Sequence, residues 1–299
     1  MKKSILILLS FYSITAFGQV DSNQFNKQKL RTLQIGTGAV YGLGMYQLAQ
    51  VWFFHNDKSS FHTVNDLSHW NQMDKIGHFT TANSVSEKLY YGMRWAGIKY
   101  KKASIQSGII GLAMVTSIDI MDGYSSAYGF SWPDIFANTI GSGLLVGQNL
   151  VWGEQKMIIK WSYQRTPEVA LNPADLGNSW TNEWLHNYNG QTYWFTLNAN
   201  HWLKPTKTWQ KVLGIAVGKG AGGMYLETTQ LEQDSLGGKY NLGKRYHEWY
   251  LSLDLDLSQI KTPYPLLNKF LFLTRIFKTP MPTLSYSGKN GFQFKPYYF

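Results

Sequence analysis

The chain has 299 residues, no cysteine and a net charge of +10. Without cysteine it has no disulfide, no thiol nucleophile and no thiolate metal site. A slightly negative mean hydropathy argues against a protein made mainly of membrane spans, while an aromatic content of 16% suits a chain rich in strands or one that meets a membrane interface.

The positive balance points to anionic partners. The lysines are scattered and no nucleic-acid-binding motif is present, so acidic lipid is the expected partner class and nucleic acid is not. Residues 1–18 read as a secretory signal: Lys2 and Lys3, the apolar run ILILLSFYSITAF, then small residues at Ala16 and Gly18. The run is shorter than the about 20 residues needed to cross a bilayer. Cleavage near Gly18 or Gln19 and an exported mature chain are expected. No cysteine follows, so this is not a lipoprotein signal.

Residues 19–31 form a polar lead-in. Residues 32–54 carry no charge and are long enough to cross a membrane. Gly38 and Gly42 make a small-xxx-small pair that allows close helix approach. A buried core helix and a membrane helix both fit this stretch. In residues 55–70, His55, His62 and His69 recur every seven residues, but interleaved Asn, Asp and Ser mark a loop that does not align the rings on a metal.

Residues 71–150 read as three apolar, small-residue-rich helices whose polar groups bunch at the ends. These are Asp74, Lys75 and His78, then Asp119 and Asp122, then Asp134 and Asn138. An unpaired buried charge costs several kcal/mol, so one shared cluster where three helix ends meet is the economical arrangement. Asp74 and His78 are four apart and share a helix face. A plainer reading makes these acids first-turn residues behind the N-caps Asn71 and Ser131, as Asn172 would cap ahead of Asp175. Asp119 and Asp122 oppose the dipole of a helix ending at Gly123, an expected left-handed glycine, and so need a cation from Lys75, His78 or Arg94. Glu87, nine residues after His78, falls on the opposite side of its helix and belongs to another contact. Gly141, and the pair Gly143 and Gly147, leave room for an approaching helix.

The runs DKIGHF, IDIMDG and FSWPDIFANTIG resemble the YfiM-like family of bacterial envelope proteins. They are more distantly similar to the VanZ-like membrane proteins, with D-K-x-x-H-F and a later S-x-x-D-x-x-x-N-x-x-G. The resemblance spans about residues 66–147. It implies an envelope protein with a layout typical of Bacteroidetes and no settled activity. The matching positions are Asp74, Lys75, His78, Asp119 or Asp122, Asp134 and Asn138. The VanZ-like glutamate is represented at best by an aspartate, and the cysteine that anchors some YfiM-like relatives is absent.

Beyond residue 153 the pattern turns to strands. Strands are expected at 156–165 and around 193–198, with two more at 211–220 and 222–230 around a glycine-rich bend. In 246–257, His247, Trp249, Leu251, Leu253, Leu255 and Leu257 alternate with Tyr246, Glu248, Tyr250, Ser252, Asp254 and Asp256, giving one apolar and one polar face. Residues 265–278 read as a basic amphipathic helix, and 283–299 as a hairpin turning at 288–291. The expected fold is α+β: a bundle of about four helices over 32–152, then an antiparallel sheet or partial barrel over 153–299 with one amphipathic helix. A closed barrel is the second reading, because the strands fall short of the smallest one, at eight.

Two functions follow. One is a non-catalytic envelope protein, periplasmic or outer-membrane-associated, that binds lipid or another envelope protein and uses the Asp/Lys/His cluster to fix its helices. The other is a membrane-proximal acid–base or metal-assisted hydrolase with His78 as base, oriented by Asp74 or Asp119. The absence of HExxH, a nucleophile elbow or a phosphate loop favours the first. No cofactor and no resident metal are expected, and the oligomeric state stays open.

Overall fold

The computed structural model describes residues 24–49, 58–199, 207–236 and 243–299. The expected leader and His55 lie outside these residues. Helix α1 (Lys27–Leu48) starts inside the expected polar lead-in, because Asn26 caps it by accepting from Lys29 N at 2.9 Å. Only Leu33, Val40 and Gly44 of α1 are buried, with Leu33 packed on Gly92. The Gly38/Gly42 pair meets nothing within 4 Å, so it is not a packing face within the described residues.

Helices α2 (Met73–Trp95), α3 (Tyr100–Asp122) and α4 (Trp132–Trp152) pack pairwise into a bundle. Glycines set how close they come. A Cβ on Gly141 would lie 2.1 Å from the Phe79 carbonyl oxygen, and one on Gly111 2.2 Å from Ser86 Oγ. Ser86 Oγ donates to Ser142 Oγ at 3.1 Å, and Asn83 Nδ2 to the Gly141 carbonyl at 3.0 Å. Gly143 and Gly147 do not receive a helix; they open onto an apolar groove of about 280 Å³ with Leu144, Val151, Trp152 and Met157.

The caps divide. Ser131 Oγ accepts from Asp134 N at 3.2 Å, as expected, with Pro133 in the first turn of α4. Asn71 caps nothing: Trp70, Asn71 and Gln72 all have positive φ, and the chain enters α2 through this left-handed turn. Asn172 donates to the Asp175 side chain at 2.8 Å instead of capping the single turn α5 (Pro173–Leu176). Gly123 has φ −58°, so α3 does not end in a left-handed glycine. The glycine is needed there for space, since a Cβ would lie 2.4 Å from the Phe61 ring.

Two short strands, β1 (Thr63–Val64) and β2 (Phe130–Ser131), pair in parallel near these helix ends. The main sheet is antiparallel and runs in sequence order: β3 (Met157–Tyr163), β4 (Gln191–Asn198), β5 (Leu213–Gly222), β6 (Tyr246–Leu255), β7 (Met281–Ser287) and β8 (Gly291–Tyr298). Helices α6 (Trp180–His186), α7 (Thr208–Val212), α8 (Thr229–Ser235) and α9 (Pro265–Leu273) fill the connections. The strand expected at 222–230 does not form. The chain turns at Gly223 (φ +73°), and its backbone donors go to side chains: Met224 N to Asn189 Oδ1, Tyr225 N and Leu226 N to Glu232 Oε1. The amphipathic helix is shorter than expected, ending at Leu273 before a 3-10 turn at Thr274–Ile276.

The sheet curls without closing. β4 and β8 are four strands apart, about 19 Å in a flat sheet, yet Thr192 Oγ1 and Tyr298 OH are 3.1 Å apart. The rings of Trp194, Tyr250 and Tyr298 meet inside the curl. At one end the segment leading into β7 reaches across to β3, where Lys278 N donates to the Trp161 carbonyl at 3.0 Å.

The faces of this sheet are inverted relative to a soluble protein. A sheet in water buries its apolar side. On β6 the buried residues are Tyr250, Ser252 and Asp254, while Trp249, Leu251 and Leu253 are exposed. Ile215, Val217, Leu284 and Tyr286 extend the exposed face, and Phe292 on β8 is 84% exposed. The inside of the curl holds Lys160, with Nζ 2.6 Å from Asp254 Oδ2, and Lys278, with Nζ 2.7 Å from the Leu253 carbonyl. α2 lies on the outer face at β3–β4, where Phe79 stacks on Phe195 and Gly77 admits the Tyr193 hydroxyl. Glu87, opposite His78, ties α2 to the turn after α9 through Arg275 Nη1 at 2.7 Å.

Candidate functional site

The N-terminal end of α2, the C-terminal end of α3 and the N-terminal end of α4 meet, and their charges form one cluster. Lys75 Nζ lies 2.6 Å from Asp66 Oδ2, 2.8 Å from Asp74 Oδ2 and 2.5 Å from Asp134 Oδ1. His78 faces the other side of the same carboxylates. Its Nε2 is 3.7 Å from Asp74 Oδ1 and 3.7 Å from Asp134 Oδ2, and its Nδ1 is 3.5 Å from Asp119 Oδ1. These separations are too long for hydrogen bonds and are electrostatic contacts. Asn138 Nδ2 donates to Asp119 Oδ2 at 2.7 Å, which holds that carboxylate in place. Asp122, at the last residue of α3, adds its charge through space without a direct bond to the others.

Six of the expected residues thus share direct contacts and Asp122 stands beside them. Arg94 is not among them: it sits at the far end of α2 and donates to the Ile98 carbonyl at 2.6 Å. His62 and His69 turn to separate partners, the Tyr128 carbonyl at 2.8 Å and Glu227 at 3.6 Å.

Sequence reasoning missed two members. Asp66, in the loop before α2, accepts from Ser131 Oγ at 2.6 Å as well as from Lys75. Tyr188, in the turn before β4, donates to Asp74 Oδ1 at 2.7 Å. Burial raises the Tyr188 hydroxyl well above the ordinary phenol range, and the nearby Asp74 charge adds to this, so it stays a donor. Burial also raises Glu227 in the adjoining loop, against the pull of His69. Periodicity could not reveal either missed residue, since both lie in irregular segments that only the tertiary fold brings to the helix ends.

The cluster holds five carboxylates, Asp66, Asp74, Asp119, Asp122 and Asp134, against Lys75 and His78. Burial pushes Asp119 and Asp122 up to about 7 and Asp134 up to about 6, so the full negative excess develops only above that range. Such an arrangement can bind a cation, hold protons, or lock three helix ends together.

Residues 63–149 match a family described as "Predicted periplasmic lipoprotein (DUF2279)". The match covers under a third of the chain, takes in the whole helix-end cluster except Tyr188, and stops before the sheet. The chain is an exported envelope protein, periplasmic or membrane-associated. The lipoprotein part of the family's description has no acceptor here, because these 299 residues contain no cysteine. No curated protein and no solved structure matches the chain.

Proposed function

We propose that this envelope protein is embedded in a lipid bilayer and acts there as a non-catalytic scaffold, its two buried ion networks locking the helices to the curled sheet. The observation that carries this reading is the inverted sheet. On β6, Leu251 and Leu253 are exposed at 50% and 41% while Asp254, next along the strand, is fully buried inside the curl. In water this leaves an apolar face exposed; in lipid that cost disappears, while the buried Asp254 is paired with Lys160 in either solvent.

Dimensions support the same reading. β5 and β6 have ten residues each, about 33 Å at roughly 3.3 Å per residue. α3 and α4 have 23 and 21 residues, about 31–35 Å at 1.5 Å per residue. The hydrocarbon core of a bilayer is about 30 Å. α3 is long and apolar enough to cross a membrane, and its Ile105, Ile109 and Ile110 are exposed, as are Phe136, Ile140 and Val151 on α4. The basic net charge suits anionic headgroups. The resemblance to YfiM-like and VanZ-like envelope proteins agrees with this location.

The test is membrane extraction of the full chain. The protein is expected to stay with membranes after alkaline carbonate washing and to need detergent for release. Leu251→Arg should lower its stability by about 2–4 kcal/mol if the site is near the bilayer midplane. Release by carbonate as a soluble protein would overturn the proposal.

A further inference from the structure

We infer that His78 Nε2, Asp74 Oδ1 and Asp134 Oδ2 form a binding site for one divalent transition ion of the Zn2+ class, with Asp119 positioning the imidazole. The inference goes beyond the scaffold role and does not rest on the lipid reading.

The three ligand atoms lie within 4.8 Å of one another. Bonds of about 2.0–2.1 Å in tetrahedral geometry place ligand atoms roughly 3.3–3.4 Å apart. The two 3.7 Å separations from His78 Nε2 therefore need to close by only a few tenths of an ångström. Lys75 does not block the site. It takes Asp74 Oδ2 and Asp134 Oδ1, leaving on each carboxylate the oxygen that faces His78. Tyr188 donates to Asp74 Oδ1, which keeps a lone pair for a metal.

Charge favours a cation as well. With His78 neutral, the form in which imidazole ligates, Lys75 is the one cation facing the carboxylates of the cluster, and a divalent ion lowers their negative excess. The imidazole carries a further feature. His78 Nδ1 is buried without a hydrogen-bond partner, and Asp119 Oδ1 waits at 3.5 Å. Ligation through Nε2 places the proton on Nδ1 and turns that contact into a hydrogen bond. This is the carboxylate–histidine–metal relay that commonly fixes a metal-binding imidazole. Asn138 holds the far oxygen of Asp119, so the acceptor is already oriented. One nitrogen and two carboxylate oxygens favour a transition ion over Mg2+ or Ca2+, which prefer oxygen alone. His78 keeps 22% of its side chain exposed, which leaves a way in.

The experiment titrates the full-length, detergent-solubilised protein with Zn2+ by calorimetry and with Co2+ by visible absorption. One equivalent should bind, and bound Co2+ should show the d–d bands of nitrogen–oxygen ligation. His78→Ala should abolish binding, Asp119→Asn should weaken it about 10–100-fold, and His62→Ala should leave it unchanged. Absence of saturable binding, tighter binding of Mg2+ than of Zn2+, or Zn2+ affinity unaltered in His78→Ala overturns the site. Should His78→Ala fail to fold, 15N-histidine spectra of the wild type decide: Zn2+ must shift the ring nitrogens of one histidine, and its absence refutes the inference.

Discussion

Removing the Asp254 carboxylate should destabilise the sheet from its inner side. Asp254 and Lys160 have side-chain exposures of 0% and 1%, and their charges are 2.6 Å apart. Lys278, also fully buried, is 3.7 Å from the other oxygen of the same carboxylate. Asp254→Ala therefore leaves two ammonium groups inside the curl, with only the carbonyls of Leu255, Leu253 and Thr279 as acceptors. Breaking a buried pair from one side costs about 3–5 kcal/mol. At about 2–3 °C per kcal/mol for a chain of this size, the melting temperature should fall by roughly 6–15 °C. The assay is thermal unfolding of the detergent-solubilised protein, followed by circular dichroism in the strand region. The double variant Lys160→Met/Asp254→Leu should recover only part of the loss, because Lys278 stays without its carboxylate, and adding Lys278→Met should recover more. A loss below about 1 kcal/mol in Asp254→Ala would refute the reasoning. It would mean that water reaches the lysines and that the inside of the curl is a hydrated channel.

Two further outcomes concern the helices. Ser131→Ala removes both the α4 cap and the bond to Asp66; it should cost about 1–2 kcal/mol, read as a lower melting temperature with the fold intact. Gly141→Leu places a side chain where a Cβ alone would be 2.1 Å from the Phe79 backbone oxygen; the α2–α4 contact should open and expression should yield unfolded or aggregated chain, while Gly147→Leu, which meets nothing, should be tolerated.

The fold class was readable because its signals are local. Uncharged, glycine-rich runs gave the helices, and strict alternation over 246–257 gave the best strand. The helix-end residues were also readable as a group, since charges so sparse in an apolar background must find each other. Asp66 and Tyr188 were not, because a loop acid and a turn tyrosine carry no periodic mark. The segment 222–230 misled for a related reason. Its place after a glycine-rich bend suggests a strand, but Asn189 and Glu232, distant in sequence or beyond the window, take its backbone donors. Alternation also says nothing about which face is buried. Period two assigns Leu251 and Ser252 to opposite sides, and only the curl shows that the serine is inside.

The helices also expose large apolar residues, but their interior is mixed: Leu33, Tyr90, Met93, Ala103 and Leu145 form an apolar cluster, with small and polar residues beside it. Inside the bundle lie Ser86, Ser107, Asn138, Ser142 and Asn149, all nearly fully buried, while Ile109 and Phe136 are 63% and 67% exposed. In water, helices associate because apolar faces meet. In lipid that drive is absent, and small residues with interhelical hydrogen bonds take over. Gly141 on Phe79, Ser86 on Ser142, and Asn83 on Gly141 follow the second rule. The exposed apolar residues of the bundle and of the sheet are the surfaces that the proposed bilayer location would cover. α2 joins the two halves. One end of it enters the Asp66–Lys75–Asp134 cluster, and Glu87, further along, holds Arg275 beside the sheet. If the protein instead worked in water, both networks would be bought at the cost of exposing the leucines of β6, and polar substitution at Leu251 would raise solubility without loss of stability.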